Sequence, residues 1–79
     1  MLATPSYKGD LNELTPIDGV RYYKLQSGCT NAPSGISTSG GLLFPLDYDG
    51  YTMYQVLLTI NAKYYARMKS GSWSTWKEL

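Results

Sequence analysis

Three alternating segments near the C-terminus leave this chain little topological freedom. "YTMYQVLLTI" (51–60), "YYARMK" (64–69) and "WSTWKEL" (73–79) are separated only by "NAK" and "SGS". Turns that short join antiparallel neighbours, because a parallel crossover needs a dozen or more residues. The spacing therefore predicts an antiparallel meander over 51–79. Within the first segment Tyr54, Val56, Leu58 and Ile60 recur at period two, and Gln55, Leu57 and Thr59 share the other face. In the second, Tyr64, Ala66 and Met68 lie opposite Tyr65, Arg67 and Lys69. Trp73 and Trp76 are three apart, which puts them on opposite faces of a regular strand. If Trp73 belongs to the turn and Trp76 to the strand, both reach the same side.

The upstream half carries weaker signals of the same kind. "GLLFPLDYDGY" has strand composition with Pro45 inside it, which places it at an edge or at a bulge, since proline donates nothing to a ladder. Asp49-Gly50 is a hairpin turn. Asp18-Gly19 is a second turn, leading into a strand over Val20–Leu25. "GDLNELT" predicts one or two turns of helix with Asp10 as N-cap, Glu13 completing a capping box, Leu11 and Leu14 on one side, and Pro16 as the stop. "QSGCTNAPSGISTSGG" is a long loop, which in a small domain is either functional or packed on its own terms. The expected fold is α+β, mainly β: a short N-terminal helix and then a four- to five-stranded antiparallel sheet. It forms a small knob-like domain over 10–79, with 1–9 as leader or linker.

With 79 residues the chain is one domain with a thin core. Cys29 is the only cysteine and there is no histidine, so neither an internal disulfide nor a tetrahedral metal cage supports it. A net charge of +1 with scattered Lys and Arg is not a nucleic-acid footprint. "YQVLLTI" is too short to insert in a membrane, and "MLATPSYKG" has no secretory n- or h-region. The expectation is a non-enzymatic protein without cofactor or metal, supported by oligomerisation or by a longer chain.

Among chemically suggestive residues, Asp47-x-Asp49-Gly50 resembles the start of a calcium loop or a carboxylate pair. No bidentate glutamate follows at Gln55 or Ile60, and a solvated turn accounts for it. Cys29 has no neighbouring base and reads as a bystander. The aromatics remain: eight tyrosines and two tryptophans. Flat rings pack on the apolar face of sugars while Asn, Gln, Asp and Arg bind hydroxyls. Tyr48, Tyr51 and Tyr54 around "DYDGY" are the first candidates for ligand contact, and Trp73, Arg67 and Asn31 the second. In the structural alternative the same rings build the core or a subunit seam, with Arg67 stacked on Trp73 or Trp76.

Taken in order, "DLNELTPIDGVRYYKL", "NAPSG", "GLLFPLDYDGYTMYQVLLT" and "YYARMKSGSWSTWKEL" resemble the pyocin-knob type of domain found in phage tail fibres. The matching positions are Asp10, Leu11, Leu14, Gly19, Tyr22, Asn31, Pro33, Gly35, Gln55, Tyr65, Arg67, Trp73 and Trp76. "TPIDGV" is longer than the turn usual there. The resemblance implies structural roles for Leu11, Leu14, Tyr22, Gln55 and Trp76, and no catalytic set. It implies a homotrimer within a longer fibre, located on the virion and acting at the bacterial surface on host polysaccharide or lipopolysaccharide. The alternatives are a carbohydrate-binding accessory module of a phage depolymerase or lysin, and a fibre spacer or trimerisation module.

Overall fold

The computed structural model describes residues 5–16 and 20–79. The expected Asp18-Gly19 turn lies outside them. The chain is mainly β. The strands are β1 (Ser6–Tyr7), β2 (Tyr23–Leu25), β3 (Leu42–Asp47), β4 (Met53–Leu58), β5 (Tyr64–Ser70), β6 (Ser72–Trp73) and β7 (Lys77–Glu78). They form one sheet in the order β1-β2-β3-β4-β5, with β6 and β7 both paired to the outer edge of β5.

Two expectations change here. The helix over 10–14 is a single 3-10 turn, Leu11–Glu13. Asp10 caps it, its carboxylate accepting from Asn12 N at 2.8 Å, but Glu13 is exposed and the structure shows no reciprocal bond from it. Leu14 N donates back to Leu11 O, and Pro16 then denies the chain a further helical turn. The sheet is also mixed rather than antiparallel throughout. β1 runs parallel to β2, with Lys24 N donating to Pro5 O and Gln26 N to Tyr7 O, so part of the expected leader belongs to the sheet.

Pro45 sits where an edge begins. β2 pairs with β3 only at Leu42 and Leu43, whereas β4 pairs with all six residues in unbroken register. Gly41 accepts from Leu25 N, so alternate residues from Gly41 onward turn their backbone groups toward β2. At Pro45 that side has run past the end of β2, and the missing N–H costs no ladder bond.

The two faces of the sheet have different fates. Tyr23, Leu43, Leu57 and Tyr65 form one row across four strands, and with Leu11, Leu14 and Leu25 they make the buried core. The second layer over that row is irregular chain: the 3-10 turn together with Cys29, Ala32 and Ile36 of the long loop. The loop is tied down by Thr38, buried, whose hydroxyl donates to Gln26 O at 2.7 Å and accepts from Cys29 N. Cys29 is packing material there. The opposite face carries the rows Leu42–Leu58–Tyr64, Phe44–Val56–Ala66 and Leu46–Tyr54–Met68, and no element of the described chain lies over it. Tyr22, expected to be structural, packs on Phe44 on this open side at 5.5 Å, while Tyr23 enters the core. The more regularly apolar parity of β4, Tyr54-Val56-Leu58, is therefore the uncovered one.

Substitutions on the two faces should separate in equilibrium urea unfolding. Leu57→Ala, on the covered face, is expected to cost about 3 kcal/mol through lost burial and a residual cavity. Leu46→Ser, on the open face, is expected to cost less than about 1 kcal/mol. The reverse order would place the core on the other side.

Candidate functional site

Arg67 lies on the covered face of β5, only 7% exposed. Its cross-strand partner is Gln55, fully buried, and its Nε donates to Gln55 Oε1 at 2.8 Å. The amide of Gln55 spends its own donors on the backbone of the 3-10 turn, reaching Leu11 O at 2.6 Å and Leu14 O at 2.9 Å. One glutamine thus meets the Leu14 carbonyl, adds a second donor to Leu11 O, which already accepts from Leu14 N, and fixes the orientation of the guanidinium. Two indoles pack against that guanidinium. Its central carbon is 4.3 Å from the ring centre of Trp73 and 4.5 Å from that of Trp76.

The two indoles reach one side because the last strand is bulged. Lys69 pairs with Trp73 and Ser70 with Ser72, but Ala66 pairs with Lys77 and Tyr65 with Glu78. The sum of paired numbers rises by one between the two halves, so one extra residue is inserted within 74–76. Ser74 stitches the bulge, its N donating to Met68 O and its Oγ accepting from Met68 N. The inserted residue flips the parity of Trp76 and brings it over Arg67 beside Trp73. This differs from the route expected from sequence, in which Trp73 would belong to the turn.

Trp76 then extends the network. Its Nε1 donates to Asn31 O at 2.8 Å, and Asn31 Nδ2 donates to the Asp10 carboxylate at 2.7 Å. Asn31 stands at φ +59°, a conformation asparagine tolerates better than most residues. The bond from Asn31, then that from Asn12 N, holds the Asp10 carboxyl below its ordinary 3.8. Burial pulls Arg67 down to about 10, which leaves it charged at neutral pH. Among the described residues the buried polar atoms without a partner are Asn12 Oδ1, Arg67 Nη2 and Trp73 Nε1.

A cleft of about 510 Å³ opens beside this stack. Its walls include Arg67, Trp76, Asn31, Tyr65, Ser34 and Glu78. That size falls within the range of about 300–1,000 Å³ usual for small-ligand sites. The lining combines ring surface, a cation, a carboxylate and small hydroxyls, which suits a polyhydroxylated ligand. Arg67 and Asn31, second-choice candidates from sequence, meet here, joined by Trp76 rather than Trp73. The contributions of Ser34 and Glu78 carried no signal in sequence.

The tyrosines chosen first do not form one shelf. Tyr48 and Tyr54 meet edge to face, ring centres 6.4 Å apart, on the open side of the sheet. The Tyr51 hydroxyl instead lies against Gly71 in the β5–β6 turn, where an added Cβ would come within 3.2 Å of it. Asp47 and Asp49 are occupied by their hairpin: Asp47 accepts from Gly50 N, and Asp49 from Tyr51 N and Thr52 N. Those bonds lower the Asp49 pKa. Among the described residues no group of acidic or sulfur ligands could hold a metal ion, and no helix is long and apolar enough to cross a membrane. No family model, no curated protein and no solved structure matches the chain.

Gln55→Leu should strand the Leu14 carbonyl and the Arg67 Nε at once, leave Leu11 O with Leu14 N alone, and cost about 3 kcal/mol in urea unfolding. Deleting Thr75 should remove the bulge and leave the indoles two apart on one face of a regular strand, so that their near-UV circular dichroism survives; loss of that spectrum would refute the parity argument. The depressed Asp10 pKa stabilises the fold fully above the unfolded value near 3.8, and this contribution is lost as pH falls through the lower folded value. An NMR titration of the Asn31 side-chain amide should accordingly show a midpoint below 3.8.

Proposed function

We propose that this chain is a non-enzymatic structural module of a phage tail fibre, or of a phage-derived particle, that takes part in attachment to the bacterial surface by weak contacts with glycans. The cleft beside Arg67 supports this reading most directly. A sugar ring laid against Trp76 and Tyr65 presents its hydroxyls to Asn31, Ser34 and Glu78, with the Arg67 guanidinium in the wall behind them. The ordered resemblance of residues 10–79 to pyocin-knob domains supports the fibre setting. The employment of Asp47 and Asp49 in their hairpin favours binding over hydrolysis.

In that setting the chain acts as a homotrimer within a longer fibre, on the virion, with host polysaccharide or lipopolysaccharide as ligand. Several copies turn individually weak contacts into firm adhesion, since a second engagement proceeds at the effective concentration set by the scaffold. An accessory module of a depolymerase or lysin would use the same cleft. A pure spacer would leave it empty.

Titration with a panel of bacterial surface polysaccharide fragments tests the site. Ser34→Trp, which fills the cleft from an exposed loop position, is expected to weaken binding at least tenfold without changing the unfolding midpoint. Tyr48→Ala is expected to leave binding intact. Loss of binding in Tyr48→Ala with none in Ser34→Trp would move the site to the hairpin, and no binding by any variant would favour the spacer.

A further inference from the structure

The open face of the sheet is the largest feature that a glycan cleft does not explain. Its three central rows, across β3, β4 and β5, contain no charged side chain. Leu46, Tyr48, Tyr54, Tyr64, Met68 and Leu79 stand on it at exposures between 38% for Tyr54 and 73% for Leu79. Lysines occur only toward its two edges, Lys24 on β2 and Lys77 on β7. Such a sheet has one layer too few: a sheet face that is apolar buries itself against another element.

We infer that this face is covered by a second copy of the chain, sheet against sheet. Three observations select that occupant. Taking about 200 Å² for each large side chain, the six residues leave roughly 600 Å² of apolar surface in water. The half-buried Leu42, Phe44, Val56 and Leu58 between them bring the patch toward the roughly 800 Å² per partner of a stable interface. The centre of the patch is uncharged aliphatic and aromatic surface with tyrosine hydroxyls as its main polar groups, which is closer to the composition of homo-oligomer interfaces, whereas transient partners meet surfaces about as polar as the rest of a protein. Finally, the face is broad and regular, with a depression of about 360 Å³ toward its β7 side between Tyr54, Ala66, Met68 and Leu79 that a side chain of a facing sheet can fill, and twisted sheets of this kind pack on one another about 10 Å apart with side chains interdigitated. The lysines at the edges then stay at the rim, in water.

The cleft lies on the other side of the sheet, so this assembly is independent of what the cleft binds. Light scattering and sedimentation of the whole chain give the test. The unaltered chain is expected at twice its monomer mass, because a face that meets its own copy closes on a two-fold axis and the threefold contacts of a trimeric fibre come from other surfaces; Leu46→Lys with Met68→Glu should reduce it to one chain while leaving the tryptophan fluorescence of the Arg67 stack unchanged. Val56→Ala, milder and central, should weaken association at least tenfold without unfolding. A single-chain mass for the unaltered protein at 100-fold dilution steps up to about millimolar would overturn the proposal. So would an assembly that survives the face substitutions, because the copies would then meet elsewhere. Glycan binding retained by the monomeric variant would show that the two sites are separate, as proposed.

Discussion

A buried positive charge is the constraint around which the rest of this small structure is arranged. Arg67 loses most of its contact with water, and an uncompensated ion in that position would cost several kcal/mol. Compensation comes from neutral groups: an amide oxygen on Nε and two indoles against the guanidinium. Desolvation raises the strength of cation–π contacts, to about 2 kcal/mol or more where water is excluded. Only arginine supplies a flat cation that can be stacked twice and hydrogen-bonded at its edge. The same residue therefore joins β4, β5, the last strand and, through Gln55, the 3-10 turn. In a chain whose single cysteine cannot form an internal disulfide, that junction does the work of a staple.

The junction also explains why the second layer is built of irregular chain. A helix would bury its own backbone groups, but a loop exposes carbonyls that must be met. Gln55 meets those of Leu11 and Leu14, and Trp76 meets that of Asn31. Each donor comes from the sheet or from the strand pinned to it. The polar residues within the covered face are thus matched to the polar backbone lying over them, and the leucines between them fill the remaining space.

How much of this was legible depended on the length over which a signal was repeated. The β3–β4 and β4–β5 hairpins, with their Asp-Gly and Asn-containing turns, follow from period-two alternation and short connections. The 3-10 turn was overestimated, because Asp10 and the Leu11/Leu14 spacing mark where a helix starts while Pro16 decides how little of it follows. The parallel strand β1 was missed because two residues carry no period. Period-two alternation puts Gln55 and Arg67 on the faces of their strands but gives no sign that the two are partners, and only their register across β4 and β5 shows them to be one unit. The bulge at 74–76 has no compositional mark, so whether Trp73 and Trp76 share a face was undecidable from spacing. The cleft draws on chain positions more than forty residues apart and had no local trace.

The irregular margins of the sheet have a bearing on crowding. An exposed strand edge is a template for any neighbouring strand, and most of all for an identical one. Here one margin is a two-residue strand, the other is broken into two short pieces by an inserted residue and carries Lys77, and the uncovered stretch of β3 holds a proline where a donor would sit. Each device denies a passing chain a continuous ladder. Copies concentrated side by side are thereby kept from zipping into a shared fibrillar sheet, and close approach is left to side chains, whose contacts can be specific and finite in number.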